Sequence, residues 1–405
     1  MKNILYITYD GLTDPLGQSQ VLPYVIGLSK AGYKFTILSF EKQTNYKQLA
    51  HRIQTICDTN KIQWQPIKFH TKPPIVAKLY DRWLMKSTAL QICKRNNIAM
   101  IHCRSYPSAE VAIAVKKKLG VPFLFDMRGF WADEKVDSGH WNQQKWLYKK
   151  LYAHYKNLEK VFITEASHVI SLTQAGKQEL QKIYGNEIAQ KITVIPTCAD
   201  FDLFNYHAIS AEAKQQLINK LNLANKYVIA YSGSVGGWYL IDEMLAFFKI
   251  FKTYKPEAIF LCLTKEPRAL VLTHLAKHNI PEADAIIHFA NRDELPLYLS
   301  LAELSVFFIR NTYSKLSSSP TKYPEIMGLG IPVICNTIGD TGQIVTNTAS
   351  GILIDNFTTD NYHKAIEAFL ATAFQKEHIR TKAIELFDLK NAIEKYKKIY
   401  SFILN

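Results

Sequence analysis

Residues 317–332 run Ser317-Ser318-Ser319-Pro320-Thr321-Lys322-Tyr323-Pro324-Glu325-Ile326-Met327-Gly328-Leu329-Gly330-Ile331-Pro332, bracketed by the apolar runs 304–309 and 333–335. Short apolar runs bounded by turn residues read as buried strands, so the stretch between them holds a loop and a helix. That is a βαβ unit, and it commits the chain to a parallel sheet. The serines and Thr321 are good N-cap types, Pro320 suits a first helical turn, and Gly330-Ile331-Pro332 supplies a C-terminal glycine followed by a proline. Such a helix turns free N–H groups, hydroxyls and the Lys322 ammonium toward the carboxyl end of the sheet, where phosphate-bearing ligands dock. Glu325, about one helical turn further on, is placed to accept from a sugar hydroxyl. The plain alternative is a capped structural helix with a solvated Lys and Glu.

A chain of 405 residues exceeds one ordinary core and fits two domains of about 150 to 200 residues. An apolar fraction of 48% with 12% aromatics is ample for packed interiors, so the chain is expected to fold throughout. Lys+Arg 49 against Asp+Glu 35 leaves +14, which favours anionic partners such as nucleotide phosphates, acidic lipid surfaces or nucleic acid. Nucleic acid is the weakest of these, because the aromatics fall on apolar faces and not along a basic stripe. The six cysteines show no CxxC pair and no Cys/His ligand spacing, which reads as buried thiols in a reducing compartment. The opening apolar run 4–7 is too short for a signal segment and no stretch reaches the roughly 18 apolar residues of a membrane span, so a cytoplasmic location is expected.

Taken in order, a strand at 3–8 opens into a loop containing Gly11, Gly17 and Gln18, then a helix with Leu22, Val25, Ile26 and Leu28 at helical spacing, then a strand at 34–40. The loop is neither GxGxxG nor a Walker A sequence, so dinucleotide and ATP readings lose weight. Further strands read at 99–103, 122–126, 168–172 and 191–195, each with a helical pattern beside it, giving a doubly wound α/β domain. A second such domain begins with a strand at 227–231, followed by the turn Ser232-Gly233-Ser234-Val235-Gly236-Gly237-Trp238 and by strands at 258–263 and 285–289. Residues 125–134, with Asp126 and Arg128, fall where a strand meets its loop. They form either a buried ion pair holding that loop or a direct contact with a bound ligand, and His102 and Arg104 are candidates of the same kind. Residues 141–160 carry five lysines and five aromatics on a helical pattern, with Lys145, Lys149, Lys156 and Lys160 on one face. That helix, like the basic aromatic stretch 78–95, is either a membrane-interface helix or a core helix with a solvated lysine face.

Four blocks then carry a resemblance. The Ser-Pro-Thr-Lys turn with Tyr323, Glu325 and the following Gly-Leu-Gly-Ile-Pro run is similar to the signature of retaining glycosyltransferases of the GT-B fold, family 4 type. Asp126-Met127-Arg128-Gly129-Phe130-Trp131 resembles a block usual in that group, as do residues 196–204 and 231–242. The resemblance implies two Rossmann-like domains facing across a cleft: an acceptor domain at 1–205, a donor domain at 206–385, and a last helix at 386–405 crossing back. It also implies that Glu325 holds the donor ribose, that Gly17 and Gln18 approach donor phosphate or acceptor, and that residues 291–298, with Arg292, cap the nucleotide. Lys265 lies in a loop expected beside the donor base. The sequence departs from the family twice: Ser317 stands where a further glutamate is common, and the turn 232–238 lacks the Arg and Lys that usually neutralise the diphosphate. The positive field is therefore assigned to Lys322, helped by Arg310 and the amides of Gly236 and Gly237, with Ser234, Ser319 and Thr321 lining the phosphates.

The function this implies is transfer of a sugar, with retention, from a UDP- or GDP-sugar to a saccharide or lipid-linked acceptor in cell-surface polysaccharide synthesis. Lys322, Glu325, Arg128 and Asp126 are the candidate catalytic residues. No cofactor and no metal are expected, since the Asp200-Phe201-Asp202 spacing lies in the linker and not in a donor-side loop. Expected partners are a nucleotide sugar, the acceptor and an anionic membrane surface, with peripheral attachment to the inner face of the cell membrane. The rival readings are a sugar-nucleotide epimerase on the same fold and a non-catalytic nucleotide-sugar binder, and donor turnover separates them.

Overall fold

A computed structural model describes residues 2–405, apart from the side chains of Pro74 and Ile75. The chain divides into two compact units, one comprising 1–198, 313–318 and 389–405, the other 199–312 and 319–388.

The first unit is built on a seven-stranded, all-parallel sheet in the order β3-β2-β1-β4-β5-β6-β7. Its strands are β1 (Asn3–Thr8), β2 (Lys34–Glu41), β3 (Gln63–Lys68), β4 (Ile98–Arg104), β5 (Phe123–Asp126), β6 (His168–Ser171) and β7 (Ile192–Val194). β1, β2 and β4 are almost wholly buried, as continuous apolar strands between two helix layers must be. The order reverses between β1 and β4, so the crevice beyond their carboxyl ends is where a ligand would enter. β3, unread in the sequence because Pro66 interrupts it, is an edge strand, where a missing N–H costs the ladder little.

The loop after β1 is pinned by Glu41, a buried carboxylate that accepts from the N–H groups of Leu12 and Thr13 and from the hydroxyls of Thr13 and Ser39. Gly17 is pressed on that loop: a Cβ there would lie 2.1 Å from the Gly11 carbonyl oxygen. Its lack of a side chain is thus required by backbone packing, and Gln18 donates inward to the Thr13 carbonyl.

The helix expected over 141–160 runs instead from Trp146 to Glu165. Its second half is a core helix: Tyr155, Glu159, Phe162 and Ile163 are buried, and Lys156 bonds Asp133 and Glu159 at 3.0 and 2.6 Å. Lys156 therefore does not share a solvated face with Lys145, Lys149 and Lys160, because two carboxylates draw it in. Large exposed residues stand at its first turn, Trp146 and Leu147, and along helix Pro74–Arg95. The last helix, Leu389–Leu404, buries Leu389, Ala392, Tyr396, Ile399 and Tyr400 in this unit. Residues 313–318 also belong here: Tyr313 stacks on Phe130 and bonds Glu179, the Ser314 N–H donates to Asp137, Lys315 pairs with Glu134, and Thr173 donates to the Leu316 carbonyl.

The second unit holds a six-stranded parallel sheet in the order β10-β9-β8-β11-β12-β13. These strands are β8 (Tyr227–Ser232), β9 (Ala258–Leu263), β10 (Ala285–His288), β11 (Leu304–Phe307), β12 (Val333–Cys335) and β13 (Gly351–Leu353). The order reverses between β8 and β11, and the Gly-rich turn 233–237 leaves the carboxyl end of β8 at that point. All six cysteines are buried thiols.

Because the obstacle at Gly17 is backbone, Gly17→Ala is expected to destabilise the first unit by about 1–3 kcal/mol. The check is a downward shift of the corresponding thermal transition, with Gly32→Ala as a control whose site has no neighbour within 4 Å but a positive φ.

Candidate functional site

The signature stretch folds differently at its start from what its residues suggest. The helix is Lys322–Gly328, preceded by a 3-10 turn, Tyr313–Ser317. Pro320 lies outside it, and Thr321 occupies the N-cap position without a side-chain cap bond. What the helix positions is Lys322. Its side chain is fully enclosed, with Nζ 4.2 Å from the ring centre of Tyr231 and 3.7 Å from that of Tyr239, and Phe307 at 5.9 Å. These rings come from the ends of β8 and β11 and from the residue after the Gly-rich turn, so the ammonium sits at the sheet's switch point. Gly233, at φ +142°, passes so close that a Cβ there would lie 2.6 Å from Nζ. Nζ has no hydrogen-bond partner.

A lysine taken out of water with only aromatic faces around it loses hydration that cation–π attraction of about 2 kcal/mol per good ring does not restore. Burial accordingly pushes the Lys322 ammonium well below its ordinary range, against the pull of Cys262 and Glu325. The site is short of an anion. Glu325, one turn along, is buried too, and burial lifts its carboxyl above the usual range although Arg292 and Lys322 pull it down. Arg292 Nη1 donates to Glu325 Oε1 at 2.9 Å, and its guanidinium lies 5.3 Å from the Phe204 ring centre. Arg292 therefore orients the carboxylate and leaves Oε2 to a further donor.

The remaining donor-side candidates spread out. Ser234 is exposed and its carbonyl accepts from the Tyr231 hydroxyl; Gly236 and Gly237 take φ +83° and +64°, shaping the turn. Lys265 and Arg310 are exposed at the ends of β9 and β11, and the Arg310 N–H is spent on the Trp238 carbonyl. Ser319 and Thr321 border the helix start. Ser317 is buried in the first unit, where a Cβ on Gly176 would meet its Oγ at 2.8 Å. Sequence reading missed the cage: Tyr231 and Tyr239 look like ordinary strand and turn aromatics, and only their alignment over one buried lysine gives them a role.

In the first unit, Asp126 ends β5 almost wholly buried. His102 Nε2, Arg104 Nη1 and Arg128 Nη1 lie 3.6, 3.9 and 3.7 Å from its carboxylate. Burial would raise that carboxyl, but Arg128, His102 and Arg104 bring it below the ordinary value. Both sequence readings of the Asp126–Arg128 pair begin from this cluster. It is an ion pair, and Arg128 also donates to Gln20 at 3.4 Å while holding a left-handed φ of +61° that a long side chain rarely adopts. Ser105, at the parallel turn after β4, has φ +65°. The Tyr400 hydroxyl contacts His102 Nδ1 at 2.7 Å, so the final helix braces the same cluster. Arg104 Nε and Nη1 and Arg128 Nε lack hydrogen-bond acceptors. Among the described residues there is no group of three His, Cys, Asp or Glu placed to hold a metal ion, and no helix long and apolar enough to cross a membrane.

Comparison with known proteins accounts for this pair of units. The model described as Glycosyltransferase Family 4 matches residues 21–203, and that described as Glycosyl transferases group 1 matches 213–386. No curated protein matched the sequence. Among solved structures, sucrose-phosphate synthase from Thermosynechococcus elongatus superposes with a TM-score of 0.75 at 15% identity over 99% of this chain and 98% of that one. Anabaena HepE, in complex with UDP and glucose, gives 0.73 at 13% over 99% and 100%. WaaG, a glycosyltransferase involved in lipopolysaccharide biosynthesis, gives 0.69 at 12% over 98% and 99%. With family models spanning both units and the two-sheet architecture shared, the chain belongs to the group 1 glycosyltransferases of the GT-B fold.

Proposed function

We propose that this glycosyltransferase moves a sugar, with retention of configuration, from a UDP- or GDP-sugar bound by the second unit to a saccharide or lipid-linked acceptor bound by the first, in the synthesis of a cell-surface polysaccharide. The observation that carries the donor half is the caged Lys322: a buried ammonium without a hydrogen-bond acceptor, beside a Gly-rich turn at the switch point of a parallel sheet, is complementary to a diphosphate. The anion supplies the acceptor that Lys322 lacks, and Lys322 in turn stabilises charge that builds on the diphosphate as the sugar leaves. Glu325, aimed by Arg292, offers Oε2 to a ribose hydroxyl. That UDP complexes exist for a structure of this fold supports the choice of ligand class. The exposed aromatic and basic faces of the first unit support peripheral contact with an anionic membrane, through helix Pro74–Arg95 and the Trp146–Leu147 corner.

A thermal-shift screen of UDP-, GDP- and CMP-sugars tests the reading directly, since a ligand at a hundred times its Kd raises apparent stability by about 2.7 kcal/mol. No shift with any of the three, and no donor turnover, would reject it. Glu325→Gln is expected to keep the fold and lose about 1–3 kcal/mol of donor binding or transition-state stabilisation. Unchanged affinity and rate would remove the ribose role. Lys322→Ala should weaken nucleoside diphosphate much more than nucleoside, and equal losses would mark a purely structural lysine.

Proton linkage follows from the same lysine. Because its folded, ligand-free pKa is depressed by burial, binding a diphosphate raises it and draws a proton in. At pH values between the free and liganded pKa, calorimetry in buffers of different ionisation enthalpy should show net proton uptake, and affinity should fall as pH rises through the liganded pKa; proton release on binding is the contrary result. We further propose metal-independent turnover, with Lys322 in the place of a divalent cation. Activity should persist in EDTA, and a loss restored by magnesium or manganese would contradict this.

A further inference from the structure

Helix Pro74–Arg95 carries an outward face that its own unit does not cover. Val76, Leu79, Tyr80 and Trp83 follow the i, i+3, i+4, i+7 spacing of one helical stripe, and they are 61%, 60%, 47% and 62% exposed. Tyr80 and Trp83 stack on each other with ring centres 5.9 Å apart. Exposed Lys86 follows Trp83 at i+3 beside the stripe, Lys72 is exposed just ahead of the helix, and Lys78 is exposed on another side of its first turns, while Arg82 turns inward to Tyr155 and Glu110. The single acidic residue in the helix, Asp81, is buried, so the helix itself presents no exposed carboxylate.

Asp81 is committed to one task. Its carboxylate accepts from the His70 N–H at 3.1 Å and the Tyr9 hydroxyl at 3.2 Å, and it lies 2.6 Å from His70 Nδ1. Asp81 has no exposed side-chain surface, whereas His70 is 30% exposed. At 2.6 Å from a carboxylate oxygen Nδ1 is the donor, so it holds a hydrogen toward Asp81 and the ring orientation is fixed. Nε2, on the outer side of the ring, has no hydrogen-bond partner among the described residues. The imidazole edge meets the Tyr80 ring at 5.2 Å and 81°, which puts this directed, polarised ring at the border of the aromatic stripe.

An apolar stripe with two interfacial aromatics, Lys86 beside it, Lys72 ahead of it and no exposed acid in its own helix fits the headgroup region of an anionic bilayer, where aromatics settle and each lysine near the surface adds about 1 kcal/mol. At that depth the acceptor nearest to a ring nitrogen is a phosphodiester oxygen. We propose that His70, held by Asp81, is a headgroup-phosphate site on this docking face: with Nδ1–H kept on Asp81, the ring takes up a second proton at Nε2 and as the imidazolium donates from Nε2 to the phosphate of an anionic glycerophospholipid while Leu79 and Trp83 insert beside it. The proposal rests on the reading of peripheral membrane contact given above and assigns that contact a specific ligand and residue.

The test uses the full chain with vesicles of phosphatidylcholine, alone or mixed with phosphatidylglycerol. The wild type should sediment with the mixed vesicles and not with phosphatidylcholine alone, and a Leu79→Ser, Trp83→Ser variant should lose this binding. His70→Gln, with an unchanged melting temperature, should bind the mixed vesicles on the order of fivefold to tenfold more weakly, as loss of one charge-assisted hydrogen bond implies. In the wild type, the His70 Nε2 resonance should move on titration with dihexanoyl-phosphatidylglycerol below its micelle concentration and stay in place with inorganic phosphate. Equal vesicle binding by His70→Gln and wild type overturns the phosphate site and leaves the membrane reading standing. A wild type that ignores the mixed vesicles overturns the membrane reading, while donor turnover independently reports on the transferase. An Nε2 response to inorganic phosphate as large as that to the lipid overturns the lipid assignment in favour of a soluble phosphate ligand.

Discussion

Taking charge out of water is the constraint on which the carboxyl ends of both sheets depend. In the first unit, Asp126 is buried among His102, Arg104 and Arg128, and its charge is answered from three directions. Removing one partner of such a set costs several kcal/mol because the others are left uncompensated, so the strand ends and the loop at Arg128 are tied to one another. The last helix joins the same knot through Tyr400 on His102. In the second unit the arrangement is inverted: Lys322 is buried with aromatic faces and no acceptor. One cluster is electrostatically closed, and the other is left without an acceptor.

The α/β architecture was legible because parallel strands buried on both faces are continuous apolar runs, and residues 3–8, 258–263 and 333–335 were read at their true bounds. The strands that escaped reading have physical reasons. β3 contains Pro66 and alternates polar residues because it lies at the sheet edge, and β13 has only three residues, with Gly351 facing the Val333 backbone. The helix over residues 141–160 was misplaced by five residues at its start, and its lysines were treated as equivalent. Sequence spacing cannot tell that Lys156 faces Asp133 and Glu159, whereas Lys149 and Lys160 face water.

Within the candidate site, spacing conveyed residue type and approximate place but not partners. Lys322 and Glu325 were singled out from the signature stretch, yet the cage of Tyr231, Tyr239 and Phe307 is assembled from segments up to about ninety positions away and has no local sequence mark. Arg292 was read as part of a capping turn; its hydrogen bond to Glu325 makes it a positioning group for that carboxylate. Gly17 was expected to approach a ligand, and the atom that requires a glycine there is the Gly11 carbonyl oxygen.

The course of the chain bears on how this protein can be taken apart. The first unit is made of three separate pieces, of which the largest ends at Cys198, the smallest is the hexapeptide 313–318, and the last is the terminal helix. A contiguous 1–198 fragment would bare the apolar seat of Tyr396, Ile399 and Tyr400 and strip the aromatic partner from Phe130. Isolating this unit therefore calls for a rearranged chain, in which residues 389–405 are joined ahead of residue 2 or behind residue 198, and not for a truncation.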